Sequence, residues 1–253
     1  MLLRPLPAFA DNYIWALSND AGHTVIVDPG EAGPVLAARE SLRPVGILLT
    51  HHHADHIGGV EELLQTWPDL RVIAPEDDRI PRATETVREG DEVALAGWRF
   101  QVMEIPGHTR SHIAFHGHGL LFCGDTLFSL GCGRLFEGTP AQMYDSLTKL
   151  AALPPESRIC CGHEYTVNNS RFATVVEPGN LALTRRSEEA RTMRDRGLPT
   201  LPSTLAGELA ANPFLRVDEP EVRRSLQAHL GRDPAGSVEA FAELRRWKDG
   251  FAS

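Results

Sequence analysis

The sequence predicts a layered α/β domain over residues 1–165 and a small α-helical domain over residues 166–253. In the first part, short β-rich segments alternate with helical patterns, as in folds that layer strands and helices. The apolar segment 45–49 has no polar alternation, which is typical of a strand buried on both faces. After residue 165 only helical patterns recur, and this places the boundary near residue 166.

The first elements form a hairpin. Two β-rich runs, at residues 13–17 and 24–27, flank a short polar segment that contains Gly22. Residues 28–30, Asp-Pro-Gly, then break the chain. The elements predicted after this break are helices at residues 34–42 and 57–67 and strands at residues 45–49 and 71–74.

The rest of the first domain reads as a meander of short strands joined by turns that contain glycine. These strands are predicted at residues 92–95, 98–105, 113–116 and 120–123, followed by a helix at 141–153 and a last strand at 159–161. The helices predicted for the second domain are at residues 181–196, 203–210, 220–229 and 238–248.

Composition and net charge limit the kinds of molecule that the protein is expected to bind. The chain has 253 residues, 42% of them hydrophobic, and at this size a core can be buried without a disulfide or a structural metal. Any metal ligands in the chain would therefore be expected to serve a chemical reaction and not the stability of the fold. The formal net charge of -9 argues against nucleic acid or an anionic membrane as the main partner.

Cysteine usage and the N-terminal segment indicate the compartment. The four cysteines form no CxxC pair, which favours a reduced chain. Pro5, Pro7 and Asp11 interrupt the apolar character of the N-terminal segment, and no stretch has the apolar length of a membrane span. We expect a cytoplasmic monomer.

A histidine cluster follows the apolar segment 45–49. His51 and His53 are two residues apart, so in extended backbone they project to the same side. Asp55 and His56 follow at the start of the next predicted helix, and such nitrogen and oxygen donors suit Zn²⁺ or a similar divalent ion. An internal histidine run can also be a solvated loop. Its position after a buried strand, with Asp55 interleaved, favours a metal site.

Three further donors stand at the ends of other predicted strands. His108, Asp125 and His163 each follow an apolar strand and a glycine, which is how strand ends present polar side chains to a shared cleft. Singly, each would more often be a structural residue. Together with the histidine cluster they predict a common metal site.

This set of donors, in this order, resembles the metallo-β-lactamase superfamily. The resemblance implies an αββα sandwich with the site at one edge of its two sheets. It also implies two divalent metal ions, for which Zn²⁺ is expected and iron or manganese is admitted by the same ligands. The ligands implied are His51, His53 and His108 for one ion, Asp55, His56 and His163 for the second, and Asp125 bridging both.

The segments around these ligands resemble glyoxalase II, the hydroxyacylglutathione hydrolase family. The similar segments are residues 124–128, 131–134, 162–166, 212–216 and 245–251, and the likeness extends over essentially the whole chain. It implies hydrolysis of S-(2-hydroxyacyl)glutathione thioesters, with S-D-lactoylglutathione giving D-lactate and glutathione. Both carboxylates of glutathione could be engaged by a local positive patch, despite the acidic chain, made of Arg134, Arg245, Arg246 and Lys248.

The residues that this resemblance assigns to substrate contact are Arg134, Phe136, His163, Tyr165, Arg245 and Lys248. Three positions depart from the family pattern. Phe136 replaces a tyrosine, so one hydroxyl contact is missing; Arg134 replaces a lysine; and Ser111 replaces a glycine. We expect these changes to affect substrate affinity more than chemistry.

The expected mechanism is attack of a metal-bridging hydroxide on the thioester carbonyl. The thiolate leaves readily because the pKa of its conjugate acid is about 8.5, so no separate general acid is needed. We assign the catalytic role to Asp55, which can bind metal and also orient the hydroxide.

Other functions fit the sequence less well. A glutathione-persulfide dioxygenase of similar fold uses a single iron, whereas His53, Asp55 and His56 complete a second-metal set here. A secreted β-lactamase would need a signal peptide, and a nuclease or phosphodiesterase would favour a basic surface. A binding module that had lost catalysis would lack at least one ligand, and all seven are present.

Overall fold

The computed structural model describes residues 1–251, which separate into two compact units. The first unit contains Met1–Glu104, Ser111–Gly124 and Cys160–His163. The second contains Ile105–Arg110, Asp125–Ile159 and the chain from Glu164 onward. Segments of the two units alternate along the chain. The predicted boundary near residue 166 would instead divide the chain into two continuous domains. That boundary stays a prediction.

The first unit is built on a mixed six-stranded sheet in which the strands follow their chain order. Its first three strands are antiparallel and the remaining pairs are parallel. The strands are β1 (Leu2–Ala8), β2 (Asn12–Ser18), β3 (His23–Val27), β4 (Arg43–Leu48), β5 (Arg71–Pro75) and β6 (Glu85–Val87). The connecting helices are α1 (Gly33–Ala37), α2 (Ala54–Ile57) and α3 (Val60–Thr66), with a 3₁₀ turn at Arg39–Ser41.

The inner strands of this sheet are buried on both faces, and the second half of β4 is buried in this way as predicted. Ile47 of β4 packs in a cluster that includes Val35 of α1 and Leu63 of α3. Leu48, the next residue, points to the opposite face because side chains alternate along a strand, and it is equally buried.

A second, antiparallel group of strands completes the layers of the first unit. Its strands are β7 (Glu92–Leu95), β8 (Trp98–Glu104), β9 (Ile113–Gly117) and β10 (Leu120–Gly124). A Cβ on Gly46 would lie 2.9 Å from Leu95 Cδ1, so glycine in β4 permits a close approach to β7. The predicted meander is confirmed.

The second unit is mainly helical. Its elements are β11 (Leu127–Phe128), β12 (Gly131–Cys132), α4 (Pro140–Ala151), β13 (Arg158–Cys161), α5 (Thr166–Val176), α6 (Leu181–Asp195), β14 (Ser203–Thr204), α7 (Leu205–Ala211), a 3₁₀ turn at Pro213–Leu215, α8 (Pro220–Leu230) and α9 (Ser237–Asp249). Strand β13 begins here, where Ile159 pairs with Ser203, and its last two residues belong to the first unit. Directly after β13, the backbone N–H of Gly162 donates a hydrogen bond to the carbonyl oxygen of Gly124.

Local sequence accounts for the start of α4. Thr139 and Gln142 form a reciprocal capping box, and Pro140 occupies the first helical position, where its missing N–H costs nothing.

Aromatic rings fill the core of this unit. The ring of Phe172 on α5 lies 6.1 Å from that of Phe214, which in turn lies 6.0 Å from Phe241 on α9.

Three departures from the predicted elements can be explained. The helix expected at residues 57–67 is divided into α2 and α3, because Gly58 and Gly59 fit closely against the backbone of residues 30–32. Helix α5 was missed because its β-branched residues hide the helical pattern. The expectation of no strand after residue 165 was also wrong, since β14 pairs with β13.

Within residues 1–251, helices that combine the length and apolar character needed to cross a membrane are absent.

Candidate metal centre and binding pocket

The buried strand β4 leads directly into the first cluster of metal donors. His51 lies three residues beyond its end and is completely buried. Its Nε2 lies 3.1 Å from Nδ1 of His53. The loop then enters α2, which carries Asp55 and His56 in its single turn.

A second group of donors joins α2 to the end of β13. Asp55, His56 and His163 offer ligand atoms that all lie within 4.8 Å of one another. Oδ2 of Asp55 lies 3.3 Å from Nε2 of His163 and 3.6 Å from Nε2 of His56. An isolated bridge between Asn12 and His163 fixes the latter beside the sheet.

These separations fit metal coordination. In a tetrahedral site with metal–nitrogen distances near 2.05 Å, neighbouring ligand atoms lie about 3.3 Å apart. The spacing of His51 from His53, and of His163 from Asp55, is close to that value. The donor sets of the first unit therefore fit a divalent ion without rearrangement.

The second nitrogen of each buried histidine is held by a hydrogen-bonding partner, as is usual for metal ligands. Nδ1 of His56 lies 3.0 Å from Asp28 Oδ2, and Nδ1 of His163 lies 2.9 Å from Asp11 Oδ1. Both arrangements leave the Nε2 atoms directed to the shared donor group. Asp11 and Asp28 were missed as functional residues by the sequence analysis.

Thr50 sets the tautomer of His51. The hydroxyl of Thr50 donates to Asp28 at 2.7 Å, so its single proton is already used. Nδ1 of His51, 3.0 Å from the same oxygen, must therefore be the donor. Nε2 of His51 is then unprotonated, which is the form that binds a metal.

Asp28 also forms a geometric donor group with His51 and His56. Its carboxylate accepts hydrogen bonds from the backbone N–H and hydroxyl of Thr50, and it contacts His56 Nδ1. Because its oxygens are engaged in this way, we interpret Asp28 as orienting the histidines. Its φ of 52° places it in the left-handed turn that follows β3.

Asp55 is positioned by an amide from β2. The side-chain Nδ2 of Asn12 donates to Asp55 Oδ2 at 3.0 Å and to the backbone carbonyl of Asp55 at 3.2 Å. This pair of bonds fixes the carboxylate, which is partly exposed, relative to its own backbone. The residue expected to be catalytic is therefore held in one orientation.

The second unit carries the two remaining predicted ligands. Nε2 of His108 lies 3.5 Å from Oδ2 of Asp125, and both side chains are buried. Nδ1 of His108 lies 2.8 Å from the carbonyl oxygen of Arg134, so this histidine follows the same pattern as those of the first unit.

The second unit also contains a cavity of about 480 Å³. Five of the six residues assigned to substrate contact line it, and His163, the sixth, belongs to the first unit. The lining residues are His108, Asp125, Phe128, Cys132, Arg134, Phe136, Tyr165, Asn168, Asn169, Arg245, Lys248 and Phe251. Asn168 and Asn169 were not singled out in the sequence, because asparagine in a helix carries no distinctive signal.

Three cations give this cavity its charge. Lys248 has its ammonium 5.4 Å from the ring centre of Phe172, and no carboxylate of the described residues lies within ion-pair distance of it. Burial, followed by the positive charges of Arg245 and Arg134, lowers the pKa of Lys248 to about 8. Arg246, expected to add to this charge, instead pairs with Glu243 and does not line the cavity.

Arg245 is held rigidly at the cavity wall. It is buried, donates to the carbonyl of Cys132 at 2.8 Å, and lies over the ring of Phe214 at 5.2 Å. Burial raises the pKa of the Cys132 thiol to about 11, so this cysteine is a neutral wall residue at neutral pH. The other three cysteines are buried thiols too.

The aromatic residues of the cavity differ in exposure. Phe136 is 63% exposed, and its ring centre lies 5.1 Å from that of His108. Tyr165 is partly buried, with its ring 5.2 Å from Phe128. Phe136 thus presents apolar surface to solvent beside a proposed metal ligand.

Comparison with known proteins matches the two parts of the chain to two family models. Residues 11–163 match the metallo-β-lactamase superfamily, and residues 164–251 match the hydroxyacylglutathione hydrolase C-terminus. A hydroxyacylglutathione hydrolase of Xanthomonas campestris pv. campestris (strain B100) is 58% identical over 253 residues, which cover 99% of each chain.

Two solved structures share the fold. ETHE1 from Myxococcus xanthus is similar with a TM-score of 0.65 and 25% identity, over 97% of this chain and 98% of that one. TTHA1623, solved in a di-iron-bound form, is similar with a TM-score of 0.61 and 27% identity, over 84% of this chain and 100% of that one. The layered α/β fold with a helical C-terminal region, expected from the sequence, is confirmed.

Proposed function

The chain belongs to the hydroxyacylglutathione hydrolase family of the metallo-β-lactamase superfamily, and from this premise we propose that it hydrolyses S-(2-hydroxyacyl)glutathione thioesters. The substrate we propose is S-D-lactoylglutathione, which would give D-lactate and glutathione. The observation that carries the proposal is the similarity over the full chain, including the helical region that contributes Arg245 and Lys248 to the cationic cavity. A glutathione thioester has the two carboxylates that such a cavity would attract.

The metal ligands we propose are His51, His53 and His108 for one ion, Asp55, His56 and His163 for a second, and Asp125 shared by both. The tautomer of His51 and the spacing of the donors within each unit support this assignment. Zn²⁺ is our choice of ion, and the di-iron form of TTHA1623 makes iron the alternative to test. When bound, such ions supply a nucleophilic water at neutral pH and polarise the thioester carbonyl.

The remaining steps fall to the side chains. Asp55, fixed by Asn12, would orient the attacking water. Arg134, Arg245 and Lys248 would bind the peptide part of the substrate by its carboxylates. The leaving thiolate has a conjugate acid of pKa about 8.5, so it departs without a proton donor.

The test compares the wild-type protein with Asp55→Ala and His56→Ala. Loss of the thioester absorbance of S-D-lactoylglutathione reports turnover, metal analysis reports loading, and circular dichroism reports folding. We expect both variants to stay folded and to lose activity by about a hundred- to a thousandfold, the size of effect typical of removing a transition-state stabiliser. Asp20→Ala is a matched control, because Asp20 is a fully exposed carboxylate in the first unit that pairs with the N-terminus.

Two outcomes would contradict the proposal. One is a metal-loaded wild-type protein that leaves the thioester intact. The other is near-normal turnover by Asp55→Ala after complete removal of metal. A monomeric state and a cytoplasmic location stay predictions, which gel filtration and cell fractionation would test.

A further inference from the structure

One carboxylate contacts two of the three cations that line the cavity. Oδ1 of Asp249 accepts a hydrogen bond from Arg245 Nη2 at 2.9 Å and lies 3.7 Å from Nε of Arg134. Asp249 follows Lys248 directly and is the last residue of α9. Asp249 does not itself line the cavity, but it places a negative group beside two arginines that do.

The position of this carboxylate is locally unfavourable. The C-terminal end of a helix carries partial negative charge, so an aspartate there is repelled while lysine and arginine are attracted. A residue that breaks a local rule in this way is expected to have a function elsewhere in the structure.

Anchoring of Arg245 does not fully account for Asp249. Arg245 is already fixed by the carbonyl of Cys132 and by the ring of Phe214. Among the described residues, hydrogen bonds reach only Oδ1 of Asp249, and its side chain is 44% exposed. Oδ2 is therefore available to a ligand.

The charges of glutathione suggest what that ligand group is. Its γ-glutamyl end carries a carboxylate and a free ammonium on the same carbon, and the second carboxylate is on the glycine. Three cations can serve the carboxylates, but the ammonium requires an acceptor. Asp125, the carboxylate that lines the cavity, is buried beside His108 and is assigned to metal.

We propose that Asp249 is a specificity-determining residue that accepts the free α-ammonium of the γ-glutamyl group through Oδ2. The inference rests on the proposed function, since it assumes a glutathione thioester in this cavity. Asp249 then distinguishes a γ-glutamyl peptide from an acidic peptide of the same shape that lacks the amino group.

The experiment measures kcat and KM for two thioesters with wild type and Asp249→Asn. One substrate is S-D-lactoylglutathione. The other is the same thioester of glutaryl-cysteinyl-glycine, which keeps both carboxylates and lacks only the ammonium. Asp233→Asn is the matched control, because Asp233 is an exposed aspartate of the same unit that pairs with Arg223.

We expect Asp249→Asn to raise KM for the glutathione thioester about three- to tenfold with little change in kcat, as for loss of one partly exposed charged contact. The glutaryl substrate should show the raised KM already with wild type and respond to Asp249→Asn less than twofold. Asp233→Asn should change neither substrate.

An equal response of both substrates to Asp249→Asn would overturn the proposal, because it would mean that Asp249 only positions the arginines. No response of either substrate would overturn it as well. If the wild-type protein hydrolysed neither thioester, the proposed function would fail. Calorimetric binding of glutathione and its glutaryl analogue to the same variants would then still decide the role of Asp249.

Discussion

Nδ1 of His56 lies 3.0 Å from the buried carboxylate of Asp28, which also accepts both hydrogen bonds that Thr50 donates. One side chain in the turn after β3 thereby sets the orientation of His56 directly and that of His51 through Thr50. The two histidines are assigned to different metal ions, so Asp28 links the two proposed metal positions within the first unit.

Asp28→Asn should therefore weaken metal binding. The amide can still accept a hydrogen bond from Thr50, but it cannot hold His56 with a charge. Loss of such an outer partner typically lowers metal affinity about 10- to 100-fold. Competition with a chelator of known affinity measures this, with Asp20→Asn as the control. Unchanged affinity in Asp28→Asn would show that the contact does not orient the ligand.

The chain order of the donors explains how much of the site could be predicted. Four of the donors each follow an apolar strand, and the ends of these strands could be recognised in the sequence. These donors are His51, His108, Asp125 and His163. Asp28 follows β3 in the same way, but its Asp-Pro-Gly context indicated only a turn. The contact with His56 depends on tertiary packing across 28 residues, which a local pattern cannot show.

The cationic cavity was predictable only in part, for a similar reason. Arg245 and Lys248 were found by resemblance, because a basic pair on a helix would otherwise indicate a solvated face. Spacing alone did not show that Arg246, between them, points away to Glu243. The role proposed for Asp249 depends on which oxygen its neighbours use, and this is visible only in the structure.

The lowered pKa of Lys248 predicts a pH dependence of substrate binding. The pKa is about 8 rather than 10.5, so the ammonium loses its proton as the pH rises through about 8. Attraction for a substrate carboxylate is present below that pH and is lost above it. We expect kcat/KM of the wild type to fall between about pH 7.5 and 9.5, relative to that of Lys248→Arg, whose guanidinium stays charged.

Dividing the kcat/KM of the wild type by that of Lys248→Arg at each pH cancels the effect of groups that titrate in both proteins. Lys149→Arg, an exposed substitution on α4, should keep the wild-type fall. A Lys248→Arg profile parallel to that of the wild type would contradict this assignment.

Phe136→Tyr should improve substrate binding. The ring of Phe136 is 63% exposed at the cavity, so a hydroxyl can be added without a clash in the core. One added hydrogen bond to the substrate, worth about 1 kcal/mol, would lower KM roughly threefold to tenfold with kcat unchanged. Steady-state kinetics measure this. Phe136→Leu, which removes the ring and adds no hydroxyl, should not lower KM, and an equal gain in both variants would exclude the hydroxyl as the cause.

The stability of the second unit should depend strongly on one ion pair. Glu177 is 3% exposed and accepts hydrogen bonds from Arg216 at 2.8–3.2 Å, and this contact raises the pKa of Arg216. Glu177→Ala would leave the guanidinium, itself mostly buried, without its main counter-ion. We expect a loss of about 3 kcal/mol in the free energy of unfolding, measured by urea denaturation, because removing one member of a buried pair leaves an uncompensated charge.

Glu219 lies 3.8 Å from the same arginine but is half exposed, so Glu219→Ala should cost less than about 1 kcal/mol. Similar losses in the two variants would mean that burial does not decide the strength of this contact.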